Sequence, residues 1–168
     1  MSLRSKIFSQ LPVKQNYLLT ICIGCIIFFL IHSSYFAIPS VIVLQNLSFG
    51  AFCTSSRSGT VTIKPNGNRR KTGGIILMSS DPGAQAIIQV NDQKNMVITM
   101  TVGTINNLTD GSGHSMTLTI DEFNPTSPIY MTTKQVKVKI GGTLTVGTST
   151  TTPKGNYSGS FEIIFNEQ

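Results

Sequence analysis

Apolar and polar residues alternate along four stretches of the chain: Thr60-Val61-Thr62-Ile63, Met96 to Val102, Met116 to Ile120 and Val136 to Ile140. Val, Ile, Leu or Met holds one parity, and mostly Thr, Lys or Asp holds the other. That is the pattern of a strand with one face buried and one in water. Between these stretches lie Pro65-Asn66-Gly67-Asn68, Asp81-Pro82-Gly83, Asn91-Asp92-Gln93, Asp110-Gly111-Ser112-Gly113, Asn124-Pro125 and Gly141-Gly142. Each can supply the fixed or positive φ that a turn needs. Past residue 37, no window of helical length keeps a 3.6-residue period without a Gly or Pro. The pattern predicts an all-β domain, an antiparallel β-sandwich of immunoglobulin-like or pilin-like type with roughly eight to ten short strands. Val61, Ile63, Ile98, Met100, Leu118, Ile120, Val138, Leu144, Phe161 and Ile163 fall on the apolar parity of their strands and form the expected core.

Two segments depart from alternation. Val41-Ile42-Val43-Leu44 and Ile75-Ile76-Leu77-Met78 are apolar at both parities, which suits a strand covered on both faces or an edge that another chain covers. The last third of the chain reads as two strands around a Gly/Pro turn, Gly141 to Val146 and Tyr157 to Phe165. Tyr157, Phe161, Ile163 and Phe165 share one face at period two. No later strand follows to cover the edge beside them, so the amino-terminal strand or another molecule must do so. The strand-addition candidates are therefore Val41, Val43, Leu44 and Leu47 as a donor segment, and Tyr157, Phe161, Ile163 and Phe165 as a groove wall.

The first 37 residues have a different character. Arg4, Lys6 and Lys14 precede Tyr17 to Ile31, an uncharged run broken only by Thr20 and Gly24, and His32 to Ala37 then supplies smaller, more polar residues. This order predicts a helical signal peptide over 1–37, cleaved near Ala37, and a single domain over 38–168. An uncleaved membrane anchor is the competing reading.

The chain carries 13 Lys and Arg against 7 Asp and Glu, for a net charge of +6. All three leader charges are basic, so the whole-chain value overstates any affinity for nucleic acid. Cys22 and Cys25 lie in the leader, and Cys53 stands alone beyond it, leaving no partner for an internal disulfide. A small buried hydrophobe is its expected role.

Catalytic chemistry is sparse. His114 with Cys53 cannot complete a four-ligand zinc site. Asp110, Ser112, His114 and Ser115 crowd one Gly-rich loop, but triad members normally converge from different elements, so a solvated turn is the better reading. Gly142 to Ser149 has the glycine spacing of a phosphate loop, yet Thr148 stands where the lysine is needed. Arg69-Arg70-Lys71 and the pair Lys137 and Lys139 read as solubility and edge protection, with an anionic polysaccharide or membrane surface as the sharper alternative. Asn46, Asn107 and Asn156 begin glycosylation sequons, which arise by chance in a chain rich in Ser and Thr.

Leu47-Ser48-Phe49-Gly50, Gly59 to Ile63, Gly73-Gly74-Ile75, Gly141 to Val146 and Gly155-Asn156-Tyr157-Ser158-Gly159 occur in the order seen in a family of secreted bacterial proteins, domain of unknown function 4402. The resemblance covers about residues 44 to 166, and its most specific parts are Gly141-Gly142-Thr143-Leu144 with Tyr157-Ser158-Gly159. It implies an exported bacterial β-sandwich with no catalytic residue to carry over. The closing strand also resembles the last strand of spore-coat-U-type and archaic chaperone-usher pilins, although no long alternating arm precedes the first core strand here.

The expected function is that of an exported, non-enzymatic structural or adhesive protein of the periplasm or cell surface, a pilus-like subunit joined to its neighbours by strand addition. The alternative is a self-complete monomer that binds envelope glycan or a protein partner. No cofactor, metal or nucleic acid is expected, and membrane contact is expected only through the leader.

Overall fold

The computed structural model describes residues 40–168, so the signal peptide expected over 1–37 lies outside the described residues. Eleven strands and no helix form there: β1 (Ser40–Gln45), β2 (Phe52–Thr54), β3 (Gly59–Ile63), β4 (Arg69–Lys71), β5 (Ile75–Leu77), β6 (Ala86–Asn91), β7 (Val97–Thr109), β8 (Ser115–Asn124), β9 (Ile129–Tyr130), β10 (Gln135–Val146) and β11 (Ser158–Glu167). Nine of them join one large antiparallel sheet, with β1-β6-β10-β8-β7-β11 as its path; β3 branches from β10 and pairs in turn with β4, and β9 branches from β7. Strands β2 and β5 make a separate pair.

The strands number one more than the sequence pattern predicts, and several are not short. β7 runs 13 residues and β10 runs 12, with β8 and β11 at 10 each. Gly141-Gly142 is the clearest correction, since the pair lies inside β10 rather than at a turn. Both glycines are buried at the point where one side of β10 changes partner, from β6 along Gln135–Ile140 to β3 along Gly142–Val146. A Cβ on Gly141 would sit 2.5 Å from the Ile63 carbonyl oxygen, and one on Gly142 would sit 3.0 Å from Ile120 Cδ1. Glycine here permits close approach of strands, not chain reversal.

Strand β8 divides its pairing. Ser115 and Met116 face Thr109 and Leu108 of β7, whereas Thr117 to Asn124 pair with β10. Inward residues of β7 and β8 then meet those of β3, β6 and β10 in one cluster. Of the expected core, Val61, Ile63, Ile98, Met100, Leu118, Ile120, Val138 and Leu144 are buried. Phe161 and Ile163 are only half-buried, packed against the cluster from β11. Among the described residues their strand pairs with β7 alone, which leaves its outer edge without a hydrogen-bonded strand.

The turn assignments hold in detail at Pro65 to Asn68. Gly67 N–H donates to Lys64 O at 2.8 Å, Lys64 N–H to Asn68 O at 2.9 Å, and Asn68 N–H to Asn66 Oδ1 at 3.0 Å. Gly67 takes a φ of 85°, which a side chain rarely adopts.

Candidate functional site

The two ends of the sheet path are the features that local packing does not account for. β1 lies antiparallel on β6, with Val41 opposite Val90 and Val43 opposite Ile88, and the same face continues into β10 at Val136 and Val138. Exposure falls steeply along that row: Val43 is 60% exposed, Ile88 7% and Val138 0%. Ile42 and Leu44 are close to half exposed as well, so β1 is wet on both faces. It bears no charge, and its bulge falls at Val43/Gln45. Natural edges are usually blunted by charge, proline or extreme shortness.

At the other end, Phe161 faces Ile105, Ile163 faces Val102 and Phe165 faces buried Met100. These three and Tyr157 pack on the core without being covered. Strands β1 and β11 are not hydrogen-bonded to one another. The amino-terminal strand thus covers β6 rather than the edge beside β11. Leu47 falls beyond β1 and packs beside Gly142 instead of extending the edge.

Other features singled out from the sequence resolve into structural roles. Arg69 turns inward from β4: its Nη1 donates to the carbonyls of Met78 and Asp81, and its Nη2 to that of Ala51 at 2.8 Å. Burial pushes its guanidinium pKa down, with Asp81 opposing. Lys71 Nζ donates to Ile75 O at 2.6 Å. Two of the three charges in this basic run are therefore spent on backbone carbonyls. Arg70 remains exposed and lines an open polar cleft of about 310 Å³ with Asn66, Asn68 and the ion pair Lys64–Glu122. A second cleft, about 690 Å³, lies at the start of β1, lined by Ser40, Asp92, Lys94 and Lys134 among others.

Asp110 and His114 do meet, with Oδ2 and Nδ1 2.7 Å apart. Asp110 Oδ1 also accepts the backbone N–H of Ser112 at 2.8 Å and that of His114 at 3.2 Å, which makes the carboxylate the organiser of a turn. The His114 bond, then the Ser112 amide, hold its pKa below the ordinary carboxylate range. Tyr157 donates its hydroxyl to Pro153 O at 3.0 Å, and desolvation with the nearby Asp110 charge raises its pKa. Cys53 is exposed on β2, not buried as expected, with Sγ 3.9 Å from Met78 Sδ. The β2–β5 pair is too narrow to cover it. Among the described residues no group of three or more His, Cys, Asp or Glu could hold a metal ion.

A family model, domain of unknown function (DUF4402), matches residues 40–166, from the first residue of β1 to the penultimate residue of β11. The chain belongs to the DUF4402 family. Neither a curated protein nor a solved structure matches it. The DUF4402 match begins at the first residue of β1, so the exposed edge strand is part of the family's domain and not an appendage to it.

Sequence reasoning missed the Arg69 clamp and the burial of Asp92. Asp92 is 9% exposed, with Oδ1 accepting its neighbour's amide at 2.7 Å and Oδ2 unpartnered. Neither carries a local sequence signal, because the partners of Arg69 lie 9 to 18 residues away.

Proposed function

We propose that this protein is an exported, non-enzymatic structural or adhesive component of the cell surface, an antiparallel β-sandwich joined to neighbouring proteins by strand addition. The observation that supports the reading is the pair of uncovered edges. β1 exposes Val41 to Leu44 on both faces, and β11 leaves Phe161, Ile163 and Phe165 half-covered. Added strands gain affinity from backbone hydrogen bonds and specificity from alternate side chains. The Asp110–His114 pair organises a turn, which favours a non-catalytic role. The basic-apolar-small order of residues 1–37 supports export through a cleaved signal peptide.

Fractionation of cells expressing the chain, with protease shaving of intact cells, tests this. The expected result is a processed protein outside the cytoplasm, recovered in assemblies larger than a monomer. A cytoplasmic monomer overturns the proposal. A second reading, a self-complete monomer that binds envelope glycan or a protein, is favoured by the register of β1 on β6, from Ser40 opposite Asn91 to Gln45 opposite Ile87. Recovery of an exported monomer would select it.

A further inference from the structure

Three strand ends meet at one end of the large sheet. Ser40 opens β1, Asn91 closes β6 and Gln135 opens β10, and Asn91 stands opposite both of the others. They border the cleft of about 690 Å³, together with Asp92, Lys94 and Lys134. That volume falls within the roughly 300–1,000 Å³ of small-molecule sites, yet every lining side chain is polar or charged where such sites are mostly apolar. An apolar ligand finds no counterpart here.

Backbone hydrogen bonds fasten the 92–95 turn to the loop before β10. Asp92 N–H donates to Lys134 O at 3.0 Å, Asn95 N–H to Met131 O at 2.8 Å, and Met131 N–H to Met96 O at 2.9 Å. Asn91 is fixed as well, because its Nδ2 donates to Ser40 Oγ at 3.1 Å and its Oδ1 accepts Gln89 Nε2 at 2.9 Å. Asp92 breaks the pattern of its neighbours. It continues the inward parity of Ala86, Ile88 and Val90, where another apolar side chain is due, and is only 9% exposed. Oδ1 accepts the Gln93 amide at 2.7 Å, but Oδ2 is shut off from water with no donor. A buried carboxylate oxygen left so is costly until a donor reaches it.

We propose that this cleft binds an acidic sugar, a hydroxyl-bearing ring that carries one carboxylate. Two lysines against one aspartate leave the lining with one positive charge in excess, which a single carboxylate balances. The sugar's carboxylate meets the exposed Lys94 and Lys134, and a ring hydroxyl donates to Asp92. The χ2 torsion of an aspartate is soft, so the carboxyl group can turn its unpartnered oxygen to that hydroxyl. The Gln135 amide both donates and accepts, which suits a further hydroxyl. A simple anion satisfies the lysines and leaves Asp92 without a donor. A neutral sugar does the reverse, and an amine that reached Asp92 would face two lysines. The site uses neither uncovered edge, so it goes beyond strand addition and gives the glycan-binding reading a location and a charge.

Calorimetric titration of the full-length chain with galacturonate, galactose and acetate tests this. Galacturonate should bind about tenfold or more tightly than either of the others, because each of those lacks one charge-assisted contact. Asp92→Asn keeps the shape, removes the charged acceptor and should weaken galacturonate about tenfold. Changing Lys94→Gln and Lys134→Gln together should bring galacturonate down to the level of galactose. Lys154→Gln, exposed and outside the cleft, should leave binding within about threefold. Both cleft lysines are exposed, so the double variant should fold; circular dichroism checks this, and the double variant carries the test if Asp92→Asn does not fold.

No binding of galacturonate, or an equal loss in Lys154→Gln, would overturn the site. Acetate bound as tightly as galacturonate would mean an adventitious ion only, and galactose bound as tightly would remove the lysines' role; either result overturns the acidic sugar. Export and surface assembly without galacturonate binding would sink this inference and leave the functional proposal standing. Galacturonate binding by a cytoplasmic monomer would do the reverse.

Discussion

Leu144 and Phe161 both sit on the apolar parity of a strand, yet they should respond differently to truncation. Leu144 is 1% exposed between β3 and β8, so Leu144→Ala should cost about 2–5 kcal/mol in urea unfolding. Phe161 is half-buried on an edge strand, and Phe161→Ala should cost less than the roughly 3–5 kcal/mol of a fully enclosed ring, about 1–2 kcal/mol. Asp110 supplies a pH-dependent test. Its carboxyl pKa is depressed in the folded state, so the stability it contributes is present above its unfolded pKa and lost as pH falls through the folded value. The Ser112 amide resonance should hold steady until the pH drops below about 3.9, the unperturbed carboxyl value, and then move. In Asp110→Asn that transition should vanish. Both contrasts depend on neighbours distant in sequence or on local geometry that parity alone does not encode.

At the scale of elements, Arg69 joins β4 to the loops around β5. One guanidinium satisfies the carbonyls of Ala51, Met78 and Asp81, which come from either side of β5. Arg69→Met keeps much of the stem and removes the donors. It should cost on the order of 2 kcal/mol and open the 78–83 segment to limited proteolysis well before global unfolding. Unchanged cleavage there would show that the segment is held by other contacts. Strand existence was legible at this scale. Thr60 to Ile63, Met116 to Ile120 and Val136 to Ile140 each lie within observed strands. Strand ends were less so: β7 continues through Gly103-Thr104 and on to Thr109 because β11 pairs along most of it.

For the whole molecule, the decisive element is β1. Starting the chain at Gln45 would leave Val90 and Ile88, nearly fully buried, beside an open edge. The loss should be about 2–3 kcal/mol, lowering Tm by roughly 10 °C, with aggregation through the newly freed β6. A truncated monomer that melts cooperatively at the original temperature would show that β1 is dispensable to the fold.

The all-β character and most of the core followed from the sequence by itself, because side-chain period in a strand is set by covalent geometry and needs no knowledge of partners. The candidate edge residues were legible for the same reason, as apolar positions in excess of one buried face. Which strand each would pair with was not. Val41 to Leu44 could have lain beside β11 or, as it does, beside β6, because pairing depends on contacts about fifty residues apart in the chain. The same holds for Gly141-Gly142, which a local reading makes a turn and the crossing of Ile63 and Ile120 makes the middle of a strand. Periodicity reports how much apolar surface a segment must hide, and only the tertiary structure decides what hides it and what is left bare.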